Sequence, residues 1–257
     1  MIKKILSKLF EKGWKRAVCI TALVFVALVL VCVIFNFTLF RAKHVEVEFL
    51  GECEFSEQEV VIASSINNQT LLSLNKEWVK QNIEGEISFA KVEGVEIRFP
   101  NKVVLHMSMR VPVFFVEDGG MFFVLDKHLK VLQILPSKPQ DLIELVGIEP
   151  RSDEGEFCKT NAQNALFEIG NTQTTKLKSI KKLDIVCQTP EGNNKPIYTI
   201  VCTSTNDVET RVYDVENSAV EKVDALFAVF DKQMQESGYY VVFVDHKGDV
   251  AVVWCNN

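Results

Sequence analysis

The sequence is poor in the residues that bind metals and activate nucleophiles. It has only four histidines among 257 residues, and no two of them stand at the spacing of a metal-binding pair. It contains no phosphate-binding loop, nucleophile elbow or zinc motif. Asp245 precedes His246, but neighbours on a strand point to opposite faces, so a turn-stabilising role for Asp245 is favoured over that of a base. We therefore expect no catalytic residue, cofactor or metal.

Cysteine occurs seven times, again without close metal-ligand spacing. Cys19 and Cys32 fall within an apolar N-terminal run. The other five form an odd set, which cannot pair completely within one chain: Cys53, Cys158, Cys187, Cys202 and Cys255. Small buried thiols are the favoured interpretation, and a single disulfide among the five stays open.

The sequence has one long apolar run and no second one of about 18 residues. Residues 17–40 carry no charge and would reach about 36 Å as a helix, enough to cross a hydrocarbon core of about 30 Å. A cleaved signal peptide would have an apolar region of about 7–15 residues followed by small residues. This run is longer and ends in Leu39-Phe40-Arg41. We predict an uncleaved transmembrane helix over residues 17–40.

Positive charge is concentrated before this run. Residues 1–16 carry a net charge of +5, and because the whole chain carries −6, residues 41–257 sum to −11. Basic flanks favour the cytoplasmic side, so residues 1–16 are predicted to be a cytoplasmic tail and residues 41–257 to lie outside. An acidic outer part disfavours binding to nucleic acid or to anionic polymers and favours protein partners.

The first part beyond the run predicts a compact unit of order strand, helix, helix, strand, strand. Residues 44–49 alternate polar and apolar side chains, and Ser56 with Glu59 has the form of a helix capping box. Asn75 is suited to begin a second helix, and residues 95–112 alternate as a hairpin. This order predicts a three-stranded sheet with two helices on one face.

The remainder predicts a mainly antiparallel β domain with flanking helices, which makes the whole chain α+β. Short apolar strands alternate with turns such as the one at residues 117–120. The pattern predicts a helix at residues 156–169 and a clearer one at residues 218–236. The chain ends in a hairpin that turns at residues 246–249.

The ordered succession of these motifs resembles the bacterial cell-division family FtsQ/DivIB, in which a POTRA domain precedes a β domain. The resemblance rests on residues 45–51, 56–59, 71–74, 95–100, 110–112, 122–126 and 145–147. The sequence departs from the family pattern at Asn68, Gln69, Met109 and His128.

The resemblance implies a POTRA domain at residues 41–112 and an extracytoplasmic β domain at residues 113–257. It implies a non-catalytic divisome scaffold, held in the bacterial cell membrane by residues 17–40 and located at the division septum. Its partners would be other single-span division proteins of the FtsB/DivIC and FtsL kind.

The last strand is the predicted partner-binding site, because a terminal strand at a sheet edge offers its backbone to another chain. The residues of this site are Asp249, Val250, Ala251, Val252, Val253 and Trp254. The residues alone leave Trp254 equally open as an interface anchor or a core side chain. The resemblance favours the interface, since the family captures a partner through its C-terminal strands.

Two other classes of function stay open on the sequence alone. One is a POTRA-bearing component of another membrane-anchored complex, for export or sporulation. The other is an anchored cell-wall enzyme, which would require a pocket lined by paired carboxylates or a metal set.

Overall fold

The computed structural model describes residues 17–18, 20–34, 40–150, 153–189, 195–230, 238–245 and 247–256. The chain divides into two compact units. The first contains residues 1–83 and 92–108, and the second contains residues 84–91 and 109–257. The predicted cytoplasmic tail, residues 1–16, lies outside the described residues.

Part of the predicted transmembrane run is helical. Residues 17–18 and 20–34 are in a helix, whereas residues 19 and 35–39 lie outside the described residues. Of the helices that the structure describes, none is both long and apolar enough to cross a membrane.

The elements of the first unit follow the predicted order of strand, helix, helix, strand, strand, although the end of the second helix, the start of the second strand and the last residue of the third strand are counted with the second unit. They are β1 (His44–Phe49), α1 (Glu57–Ser64), a 3-10 turn (Leu71–Ser73), α2 (Lys76–Glu86), β2 (Ala90–Arg98) and β3 (Lys102–Met109). The sheet order is β1-β3-β2, with β1 parallel to β3. The predicted capping box of α1 is present: Ser56 Oγ accepts from the Glu59 amide, and the Glu59 carboxylate accepts from the Ser56 amide at 2.6 Å.

The second unit is organised around a nine-stranded mixed sheet. Its further strands are β4 (Pro112–Asp118), β5 (Met121–Asp126), β6 (Val131–Leu135), β7 (Ile143–Val146), β8 (Ile180–Gln188), β9 (Ile197–Ser204), β10 (Glu209–Val212), β11 (Gly238–Val244) and β12 (Val250–Asn256). The order is β12-β11-β10-β9-β8-β7-β4-β5-β6. The pairs β10–β11, β4–β7 and β7–β8 are parallel and the other five are antiparallel, in agreement with the mainly antiparallel prediction.

The described residues of this unit also form α3 (Gln163–Gly170), α4 (Thr174–Leu177) and α5 (Ala219–Phe230). The apolar sides of α3 and α5 join the inner side chains of the sheet in one hydrophobic core. Within α5, Val223, Leu226 and Phe227 are buried there. The described cysteines form no disulfide, and burial raises the pKa of the Cys202 thiol well above its ordinary value.

The helix predicted at residues 156–169 is wrong at its start. It begins at Gln163, because residues 155–158 run beside β6 and its preceding turn instead. The Val131 amide donates to Glu156 O at 2.8 Å, and the Cys158 amide donates to Leu129 O at 2.9 Å. The predicted helix at residues 218–236 is present as α5, and residues 231–236 lie outside the described residues.

A buried ionic cluster lies inside the second unit. The guanidinium of Arg110 donates to Asp126 Oδ2 at 2.6 Å, to Glu84 Oε2 at 2.9 Å and to Ala90 O at 3.0 Å. The Asp126 side chain also accepts from the Lys130 amide at 2.9 Å. Every residue of the cluster is buried, so these bonds replace the water that the charges lose.

The ammonium group of Lys130 belongs to the same cluster. It donates to Glu84 O at 2.5 Å and to Ser88 O at 3.1 Å. Burial lowers the pKa of Lys130 to about 8, and the nearby Arg110 adds to the decrease, while Glu84 and Asp126 oppose it. The cluster therefore contains a charge that is easily lost at alkaline pH.

We expect Arg110→Met to lower the free energy of unfolding by about 3–5 kcal/mol, because it leaves Asp126 and Glu84 buried without their cation. Arg98→Met is the control, since Arg98 pairs with Glu96 at 2.8 Å but both side chains are about half exposed. Such a pair contributes little to stability, because water and salt screen its charges. Urea unfolding measures both, and equal losses would contradict the role of the cluster.

The lowered pKa of Lys130 predicts a specific pH dependence. Between pH 8 and 10.5 the folded chain loses this proton while the unfolded chain keeps it, so the contribution of Lys130 to stability rises with pH. The stability of the wild type relative to Lys130→Met should therefore increase by about 3 kcal/mol across this window. Urea unfolding of both chains at pH 8 and at pH 10.5 measures this difference, and a difference that stays constant or falls with pH would contradict the prediction.

Candidate functional site

The nine-stranded sheet ends in two edges that differ in how their backbones are covered. At the β6 edge, the Val131 amide donates to Glu156 O and the Gly155 amide to Val131 O, both at 2.8 Å. The Ile134 amide donates to the carboxylate of Glu154 at 3.0 Å. A covered edge of this kind cannot accept another strand.

The opposite edge is β12, which contains five of the six residues predicted to bind a partner. β12 pairs with β11 in an antiparallel register, in which Val242 faces Val252 and Val241 faces Val253. Among the residues that the structure describes, no strand pairs with the other side of β12.

Two hydrogen bonds establish which backbone groups of β12 point to this open side. In parallel β10–β11, Val242 O accepts from the Tyr213 amide, so the backbone of Val242 points away from β12 and that of Val241 points toward it. Independently, the Asp245 amide donates to Asp249 O, which fixes the same alternation from the turn. Both place the amides and carbonyls of Ala251 and Val253 toward β11. Those of Val250 and Val252 therefore point outward.

The turn between β11 and β12 is held by Asp245. Its carboxylate accepts from the amides of Lys247, at 2.8 Å, and Asp249, at 3.0 Å. Gly248 has a φ of 90°, which only glycine adopts without strain. Asp249 thus lies in the turn and not in β12, and its amide is already bonded. His246 lies outside the described residues.

The side chains of β12 divide between the two faces of the sheet. Val250 and Val252 pack against the hydrophobic core, on the side where α5 contacts the strand. Val253 lies on the other face with 46% of its surface exposed. The strand is therefore fixed on one face by apolar packing, while its outer backbone and its second face stay accessible.

Trp254 is a half-buried residue that stabilises the hairpin from one side. Its ring lies 4.6 Å from that of Tyr240, its cross-strand neighbour. A Cβ on Gly238 would meet the indole at 2.3 Å, so glycine is required there for the ring to fit. Trp254 therefore packs within the hairpin but lies outside the buried core, and its role as an interface anchor stays a prediction.

Lys222 of α5 joins the helix to the segment that leads into it. Its ammonium group donates to Asp214 O at 2.5 Å, and burial lowers the pKa of Lys222. No group of three His, Cys, Asp or Glu side chains that could hold a metal is found in the described part of the chain. The accessible features described at this edge are the outward backbone of β12 and the exposed side chain of Val253.

No family model matches the chain. The cell division protein DivIB of Clostridium tetani (strain Massachusetts / E88) is 23% identical over 190 residues, which are 73% of this chain and 66% of the relative. The cell division protein DivIB of Bacillus cytotoxicus (strain DSM 22905 / CIP 110041 / 391-98 / NVH 391-98) is 24% identical over 188 residues, which are 73% of this chain and 69% of the relative. The chain spans about two thirds of the length of these curated relatives.

Among solved structures, the chain is similar to the major extracytoplasmic domain of the trans isomer of the cell division protein DivIB from Geobacillus stearothermophilus. That similarity covers 50% of this chain and 99% of that domain at 15% identity, with a TM-score of 0.30.

We expect amide hydrogen exchange to alternate along β12. The amides of Ala251 and Val253 bond to β11 and should exchange at least about tenfold more slowly than those of Val250 and Val252, which face outward. Residues 200–203 of the inner strand β9 provide the control, because each of them pairs with both β8 and β10 and its amide should be protected. NMR-detected exchange on the full chain measures this, and equal rates along β12 would contradict the open edge.

Proposed function

The chain belongs to the FtsQ/DivIB family of bacterial cell-division proteins, and from this membership we propose that it is a non-catalytic scaffold of the divisome. Both curated relatives carry the name of a cell division protein. In this proposal the chain recruits partners by adding a strand of theirs to β12.

The observation that carries the proposal is the open edge of the large sheet. Val250 and Val252 direct their amides and carbonyls outward, while the opposite edge at β6 is covered by residues 154–157. An added strand would form main-chain hydrogen bonds with β12 and would be blocked at β6. The apolar packing of Val252 and the ring contact between Trp254 and Tyr240 hold β12 in place in the absence of a partner.

The proposed partners are single-span division proteins of the FtsB/DivIC and FtsL kind. Such a partner would place an extended segment beside β12, with alternate side chains against Val253 on one face and beside Trp254 on the other. The net charge of −11 on residues 41–257 favours a partner segment that is not itself strongly acidic.

We further propose that residues 17–40 anchor the chain in the bacterial cell membrane. The described part of this run displays large apolar side chains on every side of the helix, each substantially exposed: Val18, Ile20, Leu23, Val24, Phe25, Val26, Leu28, Val29, Leu30, Val31, Val33 and Ile34. A helix that is apolar all round needs an apolar environment. The net charge of +5 on residues 1–16 supports a cytoplasmic N-terminus, with the rest of the chain outside.

Within this arrangement, residues 41–112 would be the POTRA domain and residues 113–257 the extracytoplasmic β domain. The strand–helix–helix–strand–strand order of the first unit supports the former, and the nine-stranded sheet supports the latter. The division septum is the proposed location, because divisome partners assemble there.

The test is to replace Val252 in the full-length chain and measure capture of its DivIC-type and FtsL-type partners from membranes. Val252→Pro removes an outward amide and none of the bonds to β11, so capture should fall at least about tenfold. Val252→Thr is the matched control, because it keeps the amide and a β-branched side chain, and should capture partners as the wild type does.

The folding of both variants is checked by the exchange rates of the Ala251 and Val253 amides, which report the β11–β12 ladder. Undiminished capture by Val252→Pro with an intact ladder would show that strand addition at β12 is not the mechanism. Equal loss in both variants would assign the effect to the valine side chain instead.

A further inference from the structure

Three chain segments meet at the end of the first unit that follows the proposed anchor. The Leu71 amide donates to Phe40 O at 2.7 Å, which places the 3-10 turn beside the start of the outer chain. The Lys43 amide donates to Asn101 O at 2.9 Å, which places the β2–β3 turn there as well. Residues that are far apart in sequence thus form one surface at this end.

This surface displays large apolar side chains over a closed core. Phe99 is 60% exposed and Leu72 is 59% exposed, while Leu71 and Ala42 beneath them are buried. The ring of Phe99 contacts that of Phe40 at 5.8 Å between centroids. We call the group formed by Phe40, Arg41, Lys43, Leu72 and Phe99 the juxtamembrane patch.

The charges at this end are mainly basic, because Lys102 and Arg98 are paired with Glu46 and Glu96 while Arg41 and Lys43 add two further positive charges. Arg41 and Lys43 lie directly beside Phe40, and Lys43 is exposed. Lys102, which follows the β2–β3 turn, pairs with Glu46. The patch therefore joins apolar side chains to a local positive charge, the combination that binds anionic lipid surfaces.

The opposite end of the same sheet has equal apolar exposure but the opposite charge. Leu50, just beyond β1, is 59% exposed, and Glu48, Glu52 and Glu54 around it are all exposed. At about 3.3 Å per residue, this end lies roughly 20 Å along β1 from His44. An anionic bilayer would attract one end of the sheet and repel the other.

The length of the chain keeps the patch close to the bilayer. Phe40 is six residues after Ile34, the last described residue of the N-terminal helix. Whatever their conformation, six residues reach at most about 20 Å. The patch is thus held at high effective concentration near the lipid headgroups, so that modest contacts suffice to bind it.

We propose that the juxtamembrane patch is a lipid-binding surface, which inserts Phe99 and Leu72 into the headgroup region of a bilayer that contains anionic lipid. The proposal rests on the membrane anchor put forward under the proposed function. As a consequence, the first unit contacts the membrane with its basic end, and its acidic end points away from the membrane.

The experiment uses the full chain, carrying Trp14→Phe to remove the tryptophan of the tail, in vesicles of phosphatidylcholine and phosphatidylglycerol with brominated acyl chains. Phe99→Trp and Leu72→Trp each add a tryptophan at the patch, and Leu50→Trp adds one at the equally exposed acidic end. For the first two, more than half of the fluorescence added over the parent chain should be quenched by bromine. For Leu50→Trp the added fluorescence should be the same in brominated and ordinary lipid.

The proposal is overturned if Phe99→Trp and Leu72→Trp are quenched no more than Leu50→Trp while the chain floats with the vesicles. That result would leave the anchor and the divisome role in place. If the chain fails to float with the vesicles, the anchor itself is wrong, and the lipid-binding surface is refuted with it.

Discussion

Main-chain hydrogen bonding at the edges of the large sheet is the constraint on which the rest of this structure depends. Every strand between the edges pairs with a neighbour on each side, so its backbone hydrogen bonds are made largely within the sheet. At β6 the chain closes the edge with its own residues 154–157, including a carboxylate that accepts from the Ile134 amide. At β12 the outward backbone of Val250 and Val252 meets no strand among the described residues. In the proposed function the open edge at β12 is the binding site, since an exposed strand edge that served no partner would favour aggregation.

A site made of backbone explains why the sequence carries so few residues of catalytic type. The groups that would bind a partner strand are present in every residue, so the side chains serve to hold the strand in place. Val252 packs into the core, Trp254 contacts Tyr240, and Gly238 leaves room for the indole. The charged residues that are buried have a structural role, since Arg110 and its partners bond to one another and to the backbone.

The proposed attachments of the chain lie in separate parts of it. The apolar helix and the juxtamembrane patch would fix the N-terminal part to a bilayer, and β12 would bind another protein. The two attachments need different surfaces. An anionic lipid surface binds exposed apolar and basic side chains such as Phe99 and Lys43, whereas a partner strand needs an ordered strand edge such as β12. The acidic charge of the outer chain is compatible with both, since Arg41, Lys43 and Lys102 lie together at the end of the first unit that contains Phe40.

Local sequence determined the local structure. The alternation of β1, the capping box of Ser56 and Glu59, and the turn around Gly248 each depend on residues within a few positions of one another, and each is present. The prediction failed at residues 156–158, where pairing with β6 outcompeted a helical pattern, and at Asp249, which is a turn residue. Only the tertiary structure decided the order of the nine strands, which edge is covered, and which residues of β12 turn their amides outward. The physical reason is that these depend on hydrogen bonds between residues far apart in the chain, and alternation along a strand is the same whichever side its neighbour occupies.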